Sequence, residues 1–345
     1  KTPSLRLDTI SPLTASFNIV DDGYGNLVDK TIPTGSFATK SALVGYYGFN
    51  ELYTVKNKIH YIKIFVLITI TFLFGVTTGR YKHFPYDILY FLKYNQRRIE
   101  YFQNDYKGRN FNLNNYEEVK SIENGKIGVF LTYGQSNSVS SGEPGYFVKN
   151  NVYLYSSGTL FKYKDPVLSG SLGLGGSVWG ILGDKLIDKG LFDEVIFSNC
   201  GWGGRKISEL NKGHYFNFLV ENYNSLIYRF GKVDGILFHQ GESDNNPNGT
   251  KNYYKNFVDF LNKLKDFNIN TPIYLSRVSY CGDKYPKNEE LISIQNKIVE
   301  DFENVKFGPN TDLFIEDIYR TPDKCHFSLL GFDKFSDMWV ESIIK

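Results

Sequence analysis

From residue 126 onward, short runs rich in β-branched and aromatic residues alternate with longer stretches of helical period, and no other feature restricts the fold as much. Strands are predicted over 127–132, 152–155, 194–198, 235–238 and 273–279, and helices over 178–189, 215–230, 253–267, 289–302 and 329–344. Strands separated by helices cannot pair as simple hairpins. They lie parallel, with the crossover helices covering both faces of the sheet. The expected domain is α/β, and the roughly 220 residues that follow position 125 suffice for one such domain with a substantial core.

Several polar blocks stand where a predicted strand gives way to a loop. Gly134-Gln135-Ser136-Asn137 follows the first strand, Gly201-Trp202-Gly203-Gly204 the third, and His239-Gln240-Gly241-Glu242 the fourth; Asp323-Lys324-Cys325-His326 lies near the end of the chain. In open α/β sheets, ligand crevices form outside the carboxyl ends of the strands. A serine in a Gly-Gln-Ser-Asn turn is by itself usually an ordinary loop residue. A serine, an amide and an acid three residues before a histidine, all at such positions, together make a kit for acyl transfer through a serine nucleophile.

In that order the four blocks resemble the SGNH hydrolase superfamily, and within it the sialate O-acetylesterase-like branch of carbohydrate esterases. The resemblance spans about 126–345. It implies a three-layer α/β/α domain with a short parallel sheet that hydrolyses acetyl esters on sugars without a metal. Carried over, Ser136 is the nucleophile, His326 the general base and Asp323 the residue that orients it. A serine hydroxyl attacks only when an imidazole takes its proton, and a carboxylate on the other ring nitrogen fixes the tautomer and stabilises the imidazolium. For Asp323 the plainer alternative is a turn or cap aspartate, since Thr321-Pro322-Asp323 is good turn sequence. The oxyanion donors implied are the N–H of Ser136, an N–H of Gly203 or Gly204, and the amide of Gln240; Gln135, Asn137, Arg205, His239 and Glu242 are the expected supporting or substrate-binding residues. Two departures stand out. The wider superfamily has an asparagine where Gln240 stands, and the esterase branch usually has a small hydroxyl residue in place of Arg205, which bears on the substrate's shape.

The five histidines narrow the choice of base. His60 and His83 flank an apolar segment, His214 opens a predicted helix, and His239 ends a buried strand where it reads as a packed, hydrogen-bonded residue. Glu242 is the rival carboxylate, with a supporting hydrogen-bonding role as its plainer reading. Cys200, Cys281 and Cys325 show no Cys-x-x-Cys pairing, and no His-Glu-x-x-His helix occurs, so neither a metal nor another cofactor is expected. An oxidising compartment would permit a Cys281–Cys325 disulfide, which sequence does not decide. The glycine-rich stretch 170–177 lacks a Gly-Lys-Ser/Thr ending and is expected to form a wall beside the site. A net charge of +2 gives no reason to invoke nucleic acid.

The first 125 residues differ in character. Residues 64–79 carry no charge, and 59–80 approach the length of a bilayer core if Lys63 snorkels, so a single transmembrane helix is expected there, with one or two buried strands as the alternative. Basic residues on both flanks leave its orientation open. Residues 1–58 are a polar region suited to assembly or docking, and 81–125 a juxtamembrane stalk or linker. With no initiating methionine and no secretory signal at the start, a processed or incomplete chain is expected, whose targeting signal is the internal apolar segment. The resulting expectation is a membrane-anchored serine esterase, its catalytic domain on the extracytoplasmic or lumenal side, acting on an acetylated glycan. Two alternatives accompany it: an O-acetyltransferase using the same triad, and a structural subunit with an unused esterase-like domain.

Overall fold

The computed structural model describes residues 19–21, 27–29, 63, 66, 67, 69–71, 113–122, 125–171, 173 and 175–345. The chain divides into two units, 1–80 and 81–345. In the first, β1 (Ile19–Asp21) and β2 (Leu27–Asp29) pair antiparallel. Six residues of the expected transmembrane segment, Lys63, Val66, Leu67, Thr69, Ile70 and Thr71, are helical. The rest of that segment lies outside the described residues, as do His60 and His83. Among the described residues, no helix is long and apolar enough to cross a membrane.

The second unit is built on a seven-stranded sheet of β3 (Ile127–Gly134), β4 (Val152–Ser156), β5 (Thr159–Lys162), β6 (Glu194–Asn199), β7 (Gly235–His239), β8 (Ile273–Arg277) and β9 (Val305–Asn310). Its order is β5-β4-β6-β3-β7-β8-β9, and every pairing is parallel except β4 with β5. The expected α/β architecture is therefore present. The helices are α1 (Trp179–Asp188), α2 (Ile207–Leu210), α3 (Gly213–Phe230), α4 (Pro247–Asp266), α5 (Glu289–Asp301) and α6 (Leu329–Ile344).

Strand alternation sorts the core into two layers. Val129, Leu131 and Tyr133 of β3 pack with Phe216 and Leu219 of α3, Phe257 and Phe260 of α4 and Leu291 of α5. Phe130, on the opposite face of β3, packs with Trp179 and Leu182 of α1 and Phe335 and Trp339 of α6. Both faces are thus covered, which is why the strands read as near-continuous apolar runs. Each large side chain buried here contributes about 1.5–3 kcal/mol.

Two sequence expectations need correction. The stretch 113–122, expected to belong to a stalk, lies along the outer edge of β5: Val119 N–H donates to Leu160 O (2.8 Å), Lys162 N–H donates to Glu117 O (2.9 Å), and Glu118 bridges Phe161. The domain therefore starts upstream of residue 126. β5 and β9 were also not expected as strands. β9 contains Gly308 and Pro309, which argue against a strand, yet it occupies a sheet edge, where proline is tolerated.

Candidate active site

β3 lies between β6 and β7, and the chain passes from β6 through α2 and α3 to β7 on the other side of β3. This is a topological switch point, the place where open sheets leave a crevice. Three of the four blocks occupy the carboxyl ends of these adjacent strands. Gly134 ends β3 at φ 137°, paired with His239, and a Cβ at that position would stand 2.0 Å from His239 O. Only glycine allows the two strand ends to close so tightly.

Ser136 opens a single 3-10 turn, Ser136–Ser138, directly after β3. From 128 to 140 it alone is not buried. Its neighbours fasten the turn. Gln135 donates its N–H to His239 O (3.0 Å), while its Oε1 accepts from Ser243 N–H (3.0 Å). Asn137 donates through Nδ2 to Glu242 Oε1 (2.9 Å) and Cys325 O (3.3 Å). One side chain thereby ties the Ser136 turn to the turn after β7 and to the residue preceding His326. Trp179 Nε1–H adds a bond from α1 to Ser138 O (3.0 Å).

The fourth block forms a closed loop. Asp323 Oδ1 accepts from Thr321 Oγ1–H (2.7 Å) and from the N–H groups of Cys325 (2.9 Å) and His326 (3.0 Å), and Asp323 Oδ2 meets His326 Nδ1 at 2.6 Å. Thr321 N–H returns to His326 O (2.8 Å), and Lys324 takes a positive φ at the tip. A disulfide joins Cys325 to Cys281 in the loop after β8.

Charge shapes this site. Burial disfavours the His326 imidazolium, but the charge and hydrogen bond of Asp323, with the charge of Glu242, outweigh it and raise the pKa above the ordinary histidine value. Burial likewise disfavours the Asp323 carboxylate, yet His326 and four hydrogen bonds hold its pKa far below the usual range. Glu242 is buried as well, and His239 and Asn137 keep its pKa low. His239 has no exposed surface and sits 3.2 Å from Glu242 through Nε2.

The expected oxyanion donors differ in their commitments. Gly203 N–H donates to Ser171 Oγ (2.9 Å). Gln240 Nε2 donates to Asp244 Oδ2 (2.6 Å) and Arg205 O (3.2 Å), with Gln135 Oε1 at 3.4 Å. An amide has only two hydrogens, so in this arrangement Gln240 braces the crevice wall instead of facing an oxyanion. Ser136 N–H has no acceptor among the described residues, and Gly204 is exposed at φ 68°. Arg205 contacts Glu209 (3.5 Å) and lies 5.4 Å from the Tyr215 ring. His214 begins α3 against Trp202 and Tyr215. Among the described residues, no cluster suited to a metal ion occurs.

Two residues of this region were not singled out from sequence. Asp244 Oδ2 accepts from both Gln240 and Ile207 N–H (2.8 Å), joining the third block to the start of α2. An acid at a strand end beside an amide was the available signal. Arg320 is fully buried beneath the fourth block, and nothing in its local sequence marks it.

This arrangement, a Gly-Gln-Ser-Asn turn at the switch point of a parallel sheet tied to a C-terminal Asp-x-x-His loop, fits the SGNH-type hydrolase fold. Residues 182–345 match the family model "Carbohydrate esterase, sialic acid-specific acetylesterase". The solved structures it is similar to include an Arabidopsis thaliana protein (TM-score 0.52, 14% identity, covering 64% of this chain and 98% of that one). Others are a carbohydrate acetylesterase from Xanthomonas citri (0.43, 14%, covering 63% and 55%) and NanS (0.44, 15%, covering 65% and 98%). No curated protein matches the chain in sequence. The match covers 164 of the 345 residues and is to a family of carbohydrate esterases, and the enzyme class it supports is carboxylic ester hydrolase.

Proposed function

We propose that this domain removes O-acetyl groups from a carbohydrate by way of a Ser136 acyl-enzyme. Asp323 holds Nδ1 of His326, and in this reading Nε2 serves the Ser136 hydroxyl. Nε2 takes the hydroxyl proton as Ser136 Oγ attacks the ester carbonyl, and the resulting imidazolium returns it to the departing sugar oxygen. Water, activated by the same nitrogen, then releases acetate and restores the serine. The N–H groups of Ser136 and Gly204 are the donors assigned in this reading to the tetrahedral oxyanion; one such donor is typically worth about 10²–10³ in turnover.

The observation that carries this reading is the Asn137 side chain, which spans Glu242 and Cys325 O and so brings the Ser136 turn against the His326 loop. In the test, Ser136→Ala is expected to lower aryl-acetate hydrolysis by about 10⁴–10⁶-fold with an unchanged circular dichroism spectrum. Unchanged turnover refutes the proposal. Attachment to a membrane through residues 64–79, with the catalytic domain on the extracytoplasmic or lumenal side, belongs to the same reading. Carbonate extraction tests it: a chain released with the soluble fraction counts against the anchor.

A further inference from the structure

Arg320 is a charge placed where proteins seldom put one. It has no exposed surface, and among the described residues no carboxylate lies within ion-pair distance. Its guanidinium instead donates to three carbonyls, through Nη1 to Cys325 O (2.8 Å), Nη2 to Thr311 O (2.9 Å) and Nε to Phe314 O (3.4 Å). It also lies 4.1 Å from the Phe327 ring centroid, with Tyr280 and Phe314 further out. A buried cation costs several kcal/mol unless hydrogen bonds and nearby charge offset that cost. A leucine or methionine would fill the same space without it, so retention of the charge calls for a role.

The surroundings supply one. Arg320 starts the closed loop that carries Asp323 and His326, bridges across its base to Phe327, and reaches the Cys325 carbonyl, which also receives Asn137. We propose that Arg320 is a positioning residue for His326: its fork fixes the loop from below by three carbonyls, and its charge, with no carboxylate paired to it, sits at the carbonyl of the residue before the imidazole and acts on it. The inference rests on the esterase reading of the site. The charged groups acting on His326 are Asp323 from its own loop, Glu242 from the turn after β7, and Arg320 from the base of the loop. Asp312 and Tyr280 act on Arg320 from the neighbouring loops. The two carboxylates favour the imidazolium and Arg320 opposes them, which keeps more of the base in its neutral, proton-accepting form.

The two halves of this role, fixing and charge, move His326 in opposite directions when removed. If Arg320 only shaped the loop, Arg320→Met would loosen the Asp323–His326 bond and let the histidine midpoint fall. If its charge acts on the ring, R320M raises the midpoint by about half a pH unit or more. The midpoint is read by NMR titration of the His326 ring, assigned by its loss in His326→Gln. Arg320→Lys keeps the charge but not the fork, and is expected to leave the midpoint unmoved while lowering aryl-acetate turnover about tenfold or more. A fallen or unchanged midpoint in R320M overturns the proposal, as does full turnover in R320K. Should R320M fail to fold, R320K carries the test alone: a shifted midpoint or an untouched rate overturns it. The midpoint does not depend on ester hydrolysis, so a wild-type protein inactive on esters would sink the functional reading and still leave this charge effect measurable.

Discussion

The Ser136 turn and the His326 loop are held by different means. Ser136 inherits its place from the sheet: β3 is the third of six parallel strands from β4 to β9, Gly134 closes it against β7, and Gln135 and Asn137 fasten the turn to neighbouring strand ends. His326 belongs to no regular element. Its loop is held by its own hydrogen bonds, a disulfide to the loop after β8 and a buried guanidinium. Ser136 is therefore placed by elements that form with the global fold, and His326 by local devices that can be removed one at a time. Damage to the first region should act through the fold, and damage to the second through geometry and charge.

Asp323→Asn probes the local devices most sharply. It keeps the shape but permits the wrong imidazole tautomer, so kcat on an aryl acetate is expected to drop by about 10⁴-fold with little change in Tm. A drop of tenfold or less would mean that the loop places His326 without its acid. Asn137→Ala breaks the clasp between the two regions. It leaves buried Glu242 short of a donor, and should cost about 1–3 kcal/mol in urea unfolding and about 10²-fold in kcat. Loss of activity without loss of stability would place Asn137 in the chemistry and not in the scaffold.

Reduction of the Cys281–Cys325 disulfide, or Cys281→Ser, should lower stability by up to about 4 kcal/mol in the chain-entropy picture for a separation of 44 residues. It should also reduce turnover several-fold, since Cys325 adjoins His326; equal turnover in both redox states would show that the loop's other bonds suffice. The smallest effect is in the pH profile. His326 must be neutral to accept the serine proton, and its pKa is raised, so the acid limb of kcat/KM should lie above the ordinary value of 6.5. The stability linked to this raised pKa is fully present below the unfolded value and lost as pH rises through the folded one. The lowered pKa of Asp323 works in the opposite sense, its contribution present above the unfolded value and lost as pH falls toward the folded one. An acid limb below 6.5 would show that the Asp323 and Glu242 charges do not dominate.

The same contrast explains what sequence could disclose. The five expected strands all form, because strands buried on both faces must be apolar throughout. β5 escaped notice because it is four residues long and ends in Lys162. The start of α4 was set six residues too late. Asn246 caps it and Pro247 occupies its first turn, a legitimate start signal, but the Asn-Pro-Asn-Gly run reads equally as a loop. At the site, Ser136, Asp323 and His326 stood out because their chemistry needs particular residue types. Arg320 did not, because a single arginine is ordinarily a surface residue and only burial distinguishes it. The commitments of Gln240 were equally hidden, since a motif names a side chain but not the acceptors it will find.

The outer margin of β5 has a practical consequence. Residues 117–119 form hydrogen bonds along that strand, so a truncated version beginning at residue 126 would expose the unpaired N–H of Lys162 and the carbonyl of Leu160. Bare strand margins recruit other chains. Such a shortened protein is expected to self-associate at concentrations where a version starting at residue 113 stays dispersed, and light scattering from the two preparations would reveal the difference.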